Sequence, residues 1–476
     1  MTLAAPIDAV IIGGGPAGST AARLLAAWGH SVVILDNPAP RTRGLAESIP
    51  PSTRKLLSEV GVLADVERAA FYRSTGNTVW WAADEPRLEA FSATGGSRET
   101  LGYQVFRPDF DRLLIESAGT AGAEVRTPAR VRSVSFANGG ATVDYEQGGC
   151  GTTIASRLVL DCSGRAGILG RRFRRAQPGY RTFAVVGVWD SPSWDLPDHT
   201  HTLVETCEHG WAWSVPVSPT TRHVGVMVGH GQSYQSALAM TARLRRTLAA
   251  ATLQREWTCD ASLYRADQNA GEQFLLVGDA GSFIDPLSSF GVKKALASAW
   301  LAAIVAHTTL VHPERASVAR DFFSNWERDV YTTHLRRSRD FARAAYQAHA
   351  SAFWSSRAET AIPAIAAPDA ADDRVAAETP AFDVAADFDL VLAAGVRFEP
   401  HPVIRGHEIA LEEAFAGGVR FAGHVDLVTL AKMACHHRHV RDLMDAYCRQ
   451  CPPVPLPNLV GGLSMLVAKG ILHARA

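Results

Sequence analysis

Apolar positions near the start of the chain follow a strand–helix–strand pattern. Residues 9–12 form a short apolar run, residues 19–29 place Ala, Leu and Trp at helical spacing, and residues 31–35 form a second apolar run. Short apolar runs bounded by turn residues are typical of buried parallel strands, and the helix supplies the crossover that such strands need. The pattern predicts a β–α–β unit and an α/β class for this part of the chain.

Farther along the chain the pattern changes twice. Residues 181–265 contain strand candidates separated by turns rich in Pro and Asp, and residues 234–253 within them have helical spacing. Residues 356–387 are dominated by Ala, Asp, Pro and Thr, which is typical of a linker. The predicted domains are a discontinuous α/β domain at 1–180 and 266–350, a β-rich substrate domain at 181–265 to which 71–106 contribute, and a small C-terminal module at 388–476.

Composition narrows the class of protein. The chain has 476 residues, of which 47% are apolar and 20% charged, and a net charge of −1. These values are typical of a globular protein of two or three domains, and they give no field that favours nucleic acid or a membrane surface. No signal segment is visible and the seven cysteines are scattered, so we expect a cytoplasmic protein without a disulfide framework.

The C-terminal module combines helical spacing with cysteines. Helices are predicted at residues 407–415 and 424–448. Cys448 and Cys451 form a Cys-x-x-Cys pair, and Cys435 lies beside a run of histidines. Such a set is compatible with zinc or a redox pair, but no second Cys-x-x-Cys frames it, so ordinary helix residues are the preferred interpretation and no metal is predicted.

The glycine-rich stretch between the first strand and helix fits G-x-G-x-x-G. Gly13 allows a tight turn, Gly15 lets the backbone approach a pyrophosphate, and Gly18 lets the helix pack close to the strand. Asp36 ends the second strand, where an acid accepts hydrogen bonds from a ribose. A dinucleotide site is therefore predicted at Gly13, Gly15, Pro16, Ala17, Gly18 and Asp36.

This unit, together with Arg107, Asp161-Cys162-Ser163-Gly164 and Gly278-Asp279, resembles the two-domain FAD monooxygenases. The resemblance covers about residues 6–350 and implies a glutathione-reductase-type, Rossmann-like FAD-binding domain. It also implies that Asp279 binds the flavin side of FAD, that Arg107 lies along the cofactor, and that Asp36 takes the adenosine ribose.

Three further runs resemble motifs of flavin-dependent halogenases. They are Glu47-Ser48-Ile49-Pro50-Pro51-Ser52, Trp211-Ala212-Trp213-Ser214-Val215-Pro216, and the run from Phe283 to Gly291, which fits F-x-x-P-x-x-S-x-G. The tryptophan run is also similar to a strand of geranylgeranyl reductases, and a buried core strand would explain it too. By this resemblance the flavin contacts add Ser48, Pro286, Gly291 and Val292.

One departure from the halogenase pattern concerns a lysine. Those enzymes carry an active-site lysine some tens of residues after the Glu-Ser loop, whereas this chain reads Phe71-Tyr72-Arg73-Ser74-Thr75 and has no lysine between Lys55 and Lys293. Arginine stays protonated and is a poor substitute. The resemblance then favours aromatic hydroxylation through a flavin C4a-hydroperoxide. Candidate catalytic residues are Glu47, Arg73, Pro286 and Ser289, and candidate substrate-pocket residues are Phe71, Trp80, Trp81, Trp211 and Trp213.

The substrate follows only from a further resemblance. A halogenase-like chain with an extra C-terminal module is similar to the flavoproteins that mature tryptophylquinone cofactors, which hydroxylate a Trp side chain within a protein or peptide. Electrons would come from NAD(P)H or a flavin reductase, with O2 as oxidant. Two alternatives stay open: a halogenase in which another group replaces the lysine, and a flavin-binding maturation partner without turnover.

Overall fold

The computed structural model describes residues 7–91, 101–137, 139–229, 231–363, 387–416 and 419–475. The chain divides into two compact units, unit 1 at Met1–Pro363 and unit 2 at Ala364–Ala476.

Unit 1 contains runs of consecutive strands separated by helices. The strands are β1 (Ile7–Ile12), β2 (Val32–Leu35), β3 (Ala46–Ile49), β4 (Tyr72–Ser74), β5 (Gly76–Trp80), β6 (Arg87–Ala90), β7 (Gly102–Phe106), β8 (Glu124–Arg126), β9 (Arg130–Ala137), β10 (Gly140–Gln147), β11 (Cys150–Asp161), β12 (Arg174–Ala176), β13 (Phe183–Asp190), β14 (Thr202–Cys207), β15 (Gly210–Pro216), β16 (Thr221–Val228), β17 (Thr252–Asp260), β18 (Tyr264–Ala266), β19 (Phe274–Leu276) and β20 (Ser282–Phe283). The helices are α1 (Pro16–Ala27), α2 (Arg54–Glu59), α3 (Leu63–Arg68), α4 (Arg107–Thr120), α5 (Tyr234–Ala239), α6 (Arg243–Thr247), α7 (Gly291–Val311), α8 (Ala316–Ala348) and α9 (Ala352–Ala358).

The first large sheet contains the N-terminal β–α–β unit. β1 pairs in parallel with β2 and β11, β8 and β19 extend the parallel part, and β10 and β9 add an antiparallel edge. Every residue of β2 and the last four of β1 are buried, as expected of strands covered on both faces. The predicted α/β class is confirmed.

The second large sheet has the order β17-β13-β16-β15-β14-β5-β6 and is antiparallel except between β14 and β5. A cluster that includes Trp194 and Tyr234 and another that includes Trp211 and Trp354 pack against it. In place of the helix predicted at 234–253, the structure has two short helices, α5 and α6. The chain then enters β17 at Thr252 because pairing with β13 overrides the local pattern.

Helix α7 is the longest apolar helix of unit 1 among the described residues. By length and composition it is able to cross a membrane, but 67% of its apolar window is buried inside the fold. It packs against α1 and α8. Its burial is therefore that of a core helix.

Helix α9 overlaps the start of the predicted linker at 356–387. Trp354 and Arg357 of this helix are buried, so residues 356–358 are part of the packed structure of unit 1. Residues 364–386 of the predicted linker lie outside the described residues.

Unit 2 packs short strands against three described helices. The strands are β21 (Leu390–Leu392), β22 (Phe398–Arg405), β23 (Glu408–Phe415), β24 (Phe421–Ala422), β25 (Val425–Asp426) and β26 (Leu472–Ala474), and the helices are α10 (Leu427–Ala434), α11 (Val440–Gln450) and α12 (Leu456–Ala468). The prediction of a helix at 407–415 is wrong. Gly406 adopts a positive φ of 58°, which turns β22 back into β23 as a hairpin.

The second helix predicted for this module is divided. α10 ends at Ala434 and α11 begins at Val440, so Cys435 and His439 lie at the ends of two helices rather than on one helix face. Cys435, Cys448 and Cys451 are free thiols. Within the described ranges, no group of three or more Cys, His, Asp or Glu side chains is arranged to hold a metal ion.

Candidate functional site

The turn between β1 and α1 has no room for a side chain at Gly13 or at Gly18. A Cβ on Gly13, whose φ is 98°, would lie 2.7 Å from the Cys162 carbonyl oxygen, and a Cβ on Gly18 would lie 1.8 Å from the Gly13 carbonyl oxygen. Gly15 precedes Pro16, the first residue of α1. The turn therefore presents bare backbone at a helix N-terminus, which is the arrangement that binds a diphosphate.

Asp36 lies against this turn. The backbone N–H of Gly14 donates a hydrogen bond to Asp36 Oδ1 at 2.7 Å. Burial raises the pKa of Asp36, and the nearby Asp111 adds to the shift, although the Gly14 hydrogen bond opposes it. The structure thus brings Asp36 and the glycine turn together, as the prediction of a ribose contact requires.

Arg107 lies between two carboxylates. Its Nη1 donates to Glu47 Oε1 at 2.7 Å, and its Nε and Nη2 donate to Asp111 at 2.9 and 3.1 Å. Burial raises the pKa of Glu47 against the opposing charge of Arg107. Asp111 was not among the predicted site residues. It follows Arg107 by four residues on α4, which is the spacing of neighbours on one helix face.

This ion-pair cluster connects the glycine turn to the start of α7. Asp111 Oδ2 lies 4.0 Å from the position of a Cβ on Gly15, and Glu47 Oε2 lies 3.9 Å from that of a Cβ on Gly291. Arg107 therefore lies between the glycine turn and the start of α7, and its contact with the cofactor stays a prediction. Ser48 is buried beside Glu47 in β3, where it pairs with Gln104.

The Gly278–Asp279 turn also lies beside the N-terminus of α1. A Cβ on Gly278, whose φ is 63°, would lie 3.3 Å from Ala17 Cβ, so this turn adjoins the first turn of α1. The hydroxyl of Tyr264 donates to the Asp279 carbonyl oxygen at 2.7 Å. The fully buried Lys294 also contacts this turn, and neither it nor Tyr264 belonged to the predicted set.

The loop before α7 has an unusual backbone. Ser289 is a non-glycine residue with a φ of 53°, and its N–H donates to the Pro286 carbonyl oxygen at 2.9 Å. Asp285 accepts a hydrogen bond from the Leu287 N–H at 3.1 Å, and Val292 is buried in the first turn of the helix. Strained backbone of this kind is typical of ligand sites, which agrees with the predicted position of this loop beside the flavin.

The predicted pocket aromatics separate into groups. Trp211 is buried on one face of the second sheet, where Trp81, Trp213, Phe283 and Leu287 pack around the same cluster. Phe283 and Leu287 belong to the loop before α7. We call these five residues the aromatic face.

Two residues of the predicted pocket do not join the aromatic face. Trp80, the last residue of β5, packs in the cluster around Trp194. Phe71 packs edge-to-face against Phe110 of α4, with ring centroids 5.9 Å apart. The structure therefore does not bring Trp80 and Phe71 together with Trp211, and which of these residues contact a substrate stays a prediction.

Arg73 is held by its own neighbours. Its guanidinium forms an ion pair with Glu67 and lies 4.5 Å above the ring of Tyr103. Burial disfavours ionised Glu67, but hydrogen bonds from Tyr103, Arg73 and Arg54 outweigh this effect and lower its pKa to about 2. Arg73 thus belongs to a structural cluster, which weakens its candidacy as a catalytic residue.

His223 is a further polar residue that the motifs did not reveal. It is buried in β16, and its Nδ1 accepts the backbone N–H of Ala46 at 3.2 Å, next to Glu47. Its ring lies against Phe106 and Trp257. Burial, with a smaller effect of Arg255, lowers its pKa to about 4, so the imidazole is neutral near pH 7.

The FAD binding domain family matches residues 6–304 of this chain. The chain belongs to the flavin-dependent halogenase-like monooxygenases. Its cofactor is FAD. One continuous region of bare backbone and polar groups fits that cofactor, and it consists of the glycine turn, Asp36, Arg107 and the Gly278–Asp279 turn. The predicted family, fold and cofactor are confirmed.

Individual relatives differ in the reactions that their names state. The chain is 30% identical over 334 residues to a 1H-pyrrole-2-carbonyl-[peptidyl-carrier protein] chlorinase of Pseudomonas fluorescens, covering 62% of this chain and 74% of the relative. Its fold is similar to that of CmlS, a flavin-dependent halogenase, with a TM-score of 0.77, 22% identity and coverage of 99% and 96%. It is also similar to that of QhpG, a peptidyl tryptophan dihydroxylase essential for tryptophylquinone cofactor biogenesis, with a TM-score of 0.67, 22% identity and coverage of 98% and 100%.

Proposed function

We propose that this chain is an FAD-dependent monooxygenase that hydroxylates an indole-type aromatic ring. The specific form we favour is hydroxylation of a Trp side chain within a protein or peptide during biogenesis of a tryptophylquinone cofactor. Similarity of fold to QhpG over nearly the full length of both chains supports this form. The fold of the halogenase CmlS matches this chain over a similar length, so the choice between the two reactions rests on residues 71–75. A cytoplasmic location is part of the proposal, and the seven free thiols fit a reducing compartment.

The observation that favours hydroxylation over halogenation concerns residues 71–75. The resemblance places the halogenase lysine in this segment, and the chain has Arg73 there instead, engaged with Glu67 and Tyr103. A guanidinium stays protonated near neutral pH and is already neutralised by the carboxylate, so it is poorly suited to capture an oxidised halide. Oxygen transfer needs no such group.

The residues of the site have limited tasks in this reaction. When bound and reduced by NAD(P)H or a flavin reductase, FAD would activate O2, and the transferred oxygen atom would come from O2. Trp81, Trp213, Phe283 and Leu287 are partly buried around Trp211, and we propose that the aromatic substrate packs against these apolar side chains. Backbone N–H groups at the start of α7 favour negative charge next to Gly291, and the Arg107 cluster fixes the loop that carries Glu47.

The mass of the product tests this proposal. The full chain with FAD, a reductant, O2 and chloride would be given free tryptophan, a Trp-containing peptide and a Trp-containing partner protein. A gain of oxygen without chlorine is the expected result, and activity on the protein-bound residue alone would support the specific form. Unchanged masses of all acceptors, without oxygen-coupled consumption of NAD(P)H, would favour the non-catalytic flavin-binding partner.

Halogenation is the second candidate, and one observation favours it. Lys293 Nζ lies 3.0 Å from Ser52 Oγ, at the end of the loop that begins with Glu47. Burial and the charge of Arg337 lower the pKa of Lys293, which increases the neutral, reactive fraction of its amine. If the enzyme is a halogenase, chlorine appears in the product and Lys293→Met abolishes it.

A further inference from the structure

Both backbone polar groups of Gly278 bond to side chains of helix α7. The Gly278 carbonyl oxygen accepts a hydrogen bond from Lys294 Nζ at 3.0 Å. The Gly278 N–H donates to Ser298 Oγ at 2.8 Å. Lys294 and Ser298 are four residues apart on α7, the spacing of neighbours on one helix face, so one face of this helix fixes the turn.

Lys294 is a buried cation with three partners at this turn. Its side chain is 1% exposed. Besides the Gly278 carbonyl, its ammonium donates to the Ser282 carbonyl oxygen and lies 3.6 Å from Asp279 Oδ1. A buried ammonium is costly unless it is paired and hydrogen-bonded, so this arrangement ties Lys294 to the position of the Asp279 carboxylate.

Glu327 of α8 is the third side chain of this buried hydrogen-bond network, and it is joined to it through Ser298. It is 1% exposed, and Ser298 Oγ donates to its Oε1 while accepting the Gly278 N–H. Its other oxygen, Oε2, is buried and has no hydrogen-bond partner. Burial raises the pKa of Glu327 against the opposing charge of Lys294. Core packing alone does not require these polar groups, since apolar residues would fill the same volume at lower cost.

We propose that Lys294, Ser298 and Glu327 form a positioning clamp for the FAD site. The clamp holds the Gly278–Asp279 turn against the first turn of α1, where a Cβ on Gly278 would lie 3.3 Å from Ala17 Cβ. It thereby fixes the direction in which the half-exposed Asp279 carboxylate meets the cofactor. These residues act through Gly278 and Asp279 rather than by touching FAD.

The test compares two lysines of unit 1. Lys294→Met removes the buried clamp cation, and Lys55→Met removes an exposed cation of α2. We expect Lys294→Met to raise the Kd of the apoprotein for FAD about tenfold to a hundredfold, the loss typical of a hydrogen-bonded charged group. The absorption band of the bound flavin should change shape as well. Lys55→Met should leave the Kd within about threefold.

A second set of variants separates positioning from stability. Lys294→Met leaves Glu327 without its balancing charge, whereas Lys294→Met combined with Glu327→Gln removes both buried charges and keeps the apoprotein folded. The double variant should still bind FAD weakly, and Ser298→Ala should weaken binding by several-fold. Recovery of the wild-type Kd in the double variant would show a purely structural role and overturn the proposal. So would a normal Kd in Lys294→Met, or equal losses in the two lysine variants.

Discussion

Replacing Arg107 tests whether its ion-pair cluster with Glu47 and Asp111 takes part in FAD binding. Arg107→Met keeps the length of the side chain but removes three charge-assisted hydrogen bonds, one to Glu47 and two to Asp111. The three side chains are 27–30% exposed, so the cluster is partly shielded from water. Hydrogen bonds to charged groups contribute about 1.5–3 kcal/mol, and loss of one partner also leaves the others unpaired.

We expect Arg107→Met to lower the free energy of unfolding of unit 1 by about 2–3 kcal/mol. FAD affinity should fall about tenfold or more, because the loop carrying Glu47 loses its tether beside the cofactor. The effect should grow as pH rises from about 5 to 8. Burial already raises the pKa of Glu47, and without Arg107 its pKa rises further, so ionisation at higher pH destabilises the folded state.

Arg112 offers a matched control on the same helix. It pairs with Asp109 at 3.6 Å and with Glu116 at 3.8 Å, and its side chain is 66% exposed. Exposed ion pairs contribute about 0–1 kcal/mol, so Arg112→Met should change stability and FAD affinity little. Denaturant unfolding and FAD titration of the two variants measure the difference. Equal effects of the two substitutions, or an unchanged FAD affinity of Arg107→Met, would show that the Arg107 cluster has no part in FAD binding.

Further predictions concern separate parts of unit 1. Gly18→Ala should abolish FAD binding in a titration of the apoprotein, because its Cβ would lie 1.8 Å from the Gly13 carbonyl oxygen. Glu67→Gln should remove stability that is present above pH 4.5 and is lost as pH falls towards the pKa of about 2, so unfolding curves of variant and wild type should converge only in strong acid. Trp213→Ala should raise the KM for the aromatic substrate more than Trp80→Ala does, since only Trp213 belongs to the aromatic face; steady-state kinetics with equal losses would contradict this assignment.

The glycine turn was predictable from the sequence because the steric demands of such a turn restrict which residues can form it. A turn that excludes side chains requires glycine at Gly13 and Gly18, and the acid at the end of β2 has a fixed spacing from them. The Gly278–Asp279 turn was predicted from the resemblance to FAD monooxygenases. In both cases the motif residues have a fixed spacing along the chain, so the pattern is visible in the sequence.

The remaining features depend on contacts between distant segments. Asp111, Lys294 and Glu327 are charged residues on helices, and only the packing of α4, α7 and α8 shows that they lie at the cofactor turns. The hairpin in place of a helix at 407–415 has a similar origin. Its residues are compatible with either period, and the turn at Gly406 together with pairing to β22 decides the outcome.

The proposed function requires that oxygen rather than halogen is transferred to an aromatic ring. The intact mass of a Trp-containing protein substrate, measured after one reaction cycle with FAD, a reductant, chloride and isotopically labelled O2, distinguishes the two reactions. We expect incorporation of labelled oxygen and no chlorine, whether or not chloride is present. A chlorinated product that depends on chloride and on Lys293 would instead show that the enzyme is a halogenase in which a lysine outside residues 71–75 serves the reaction.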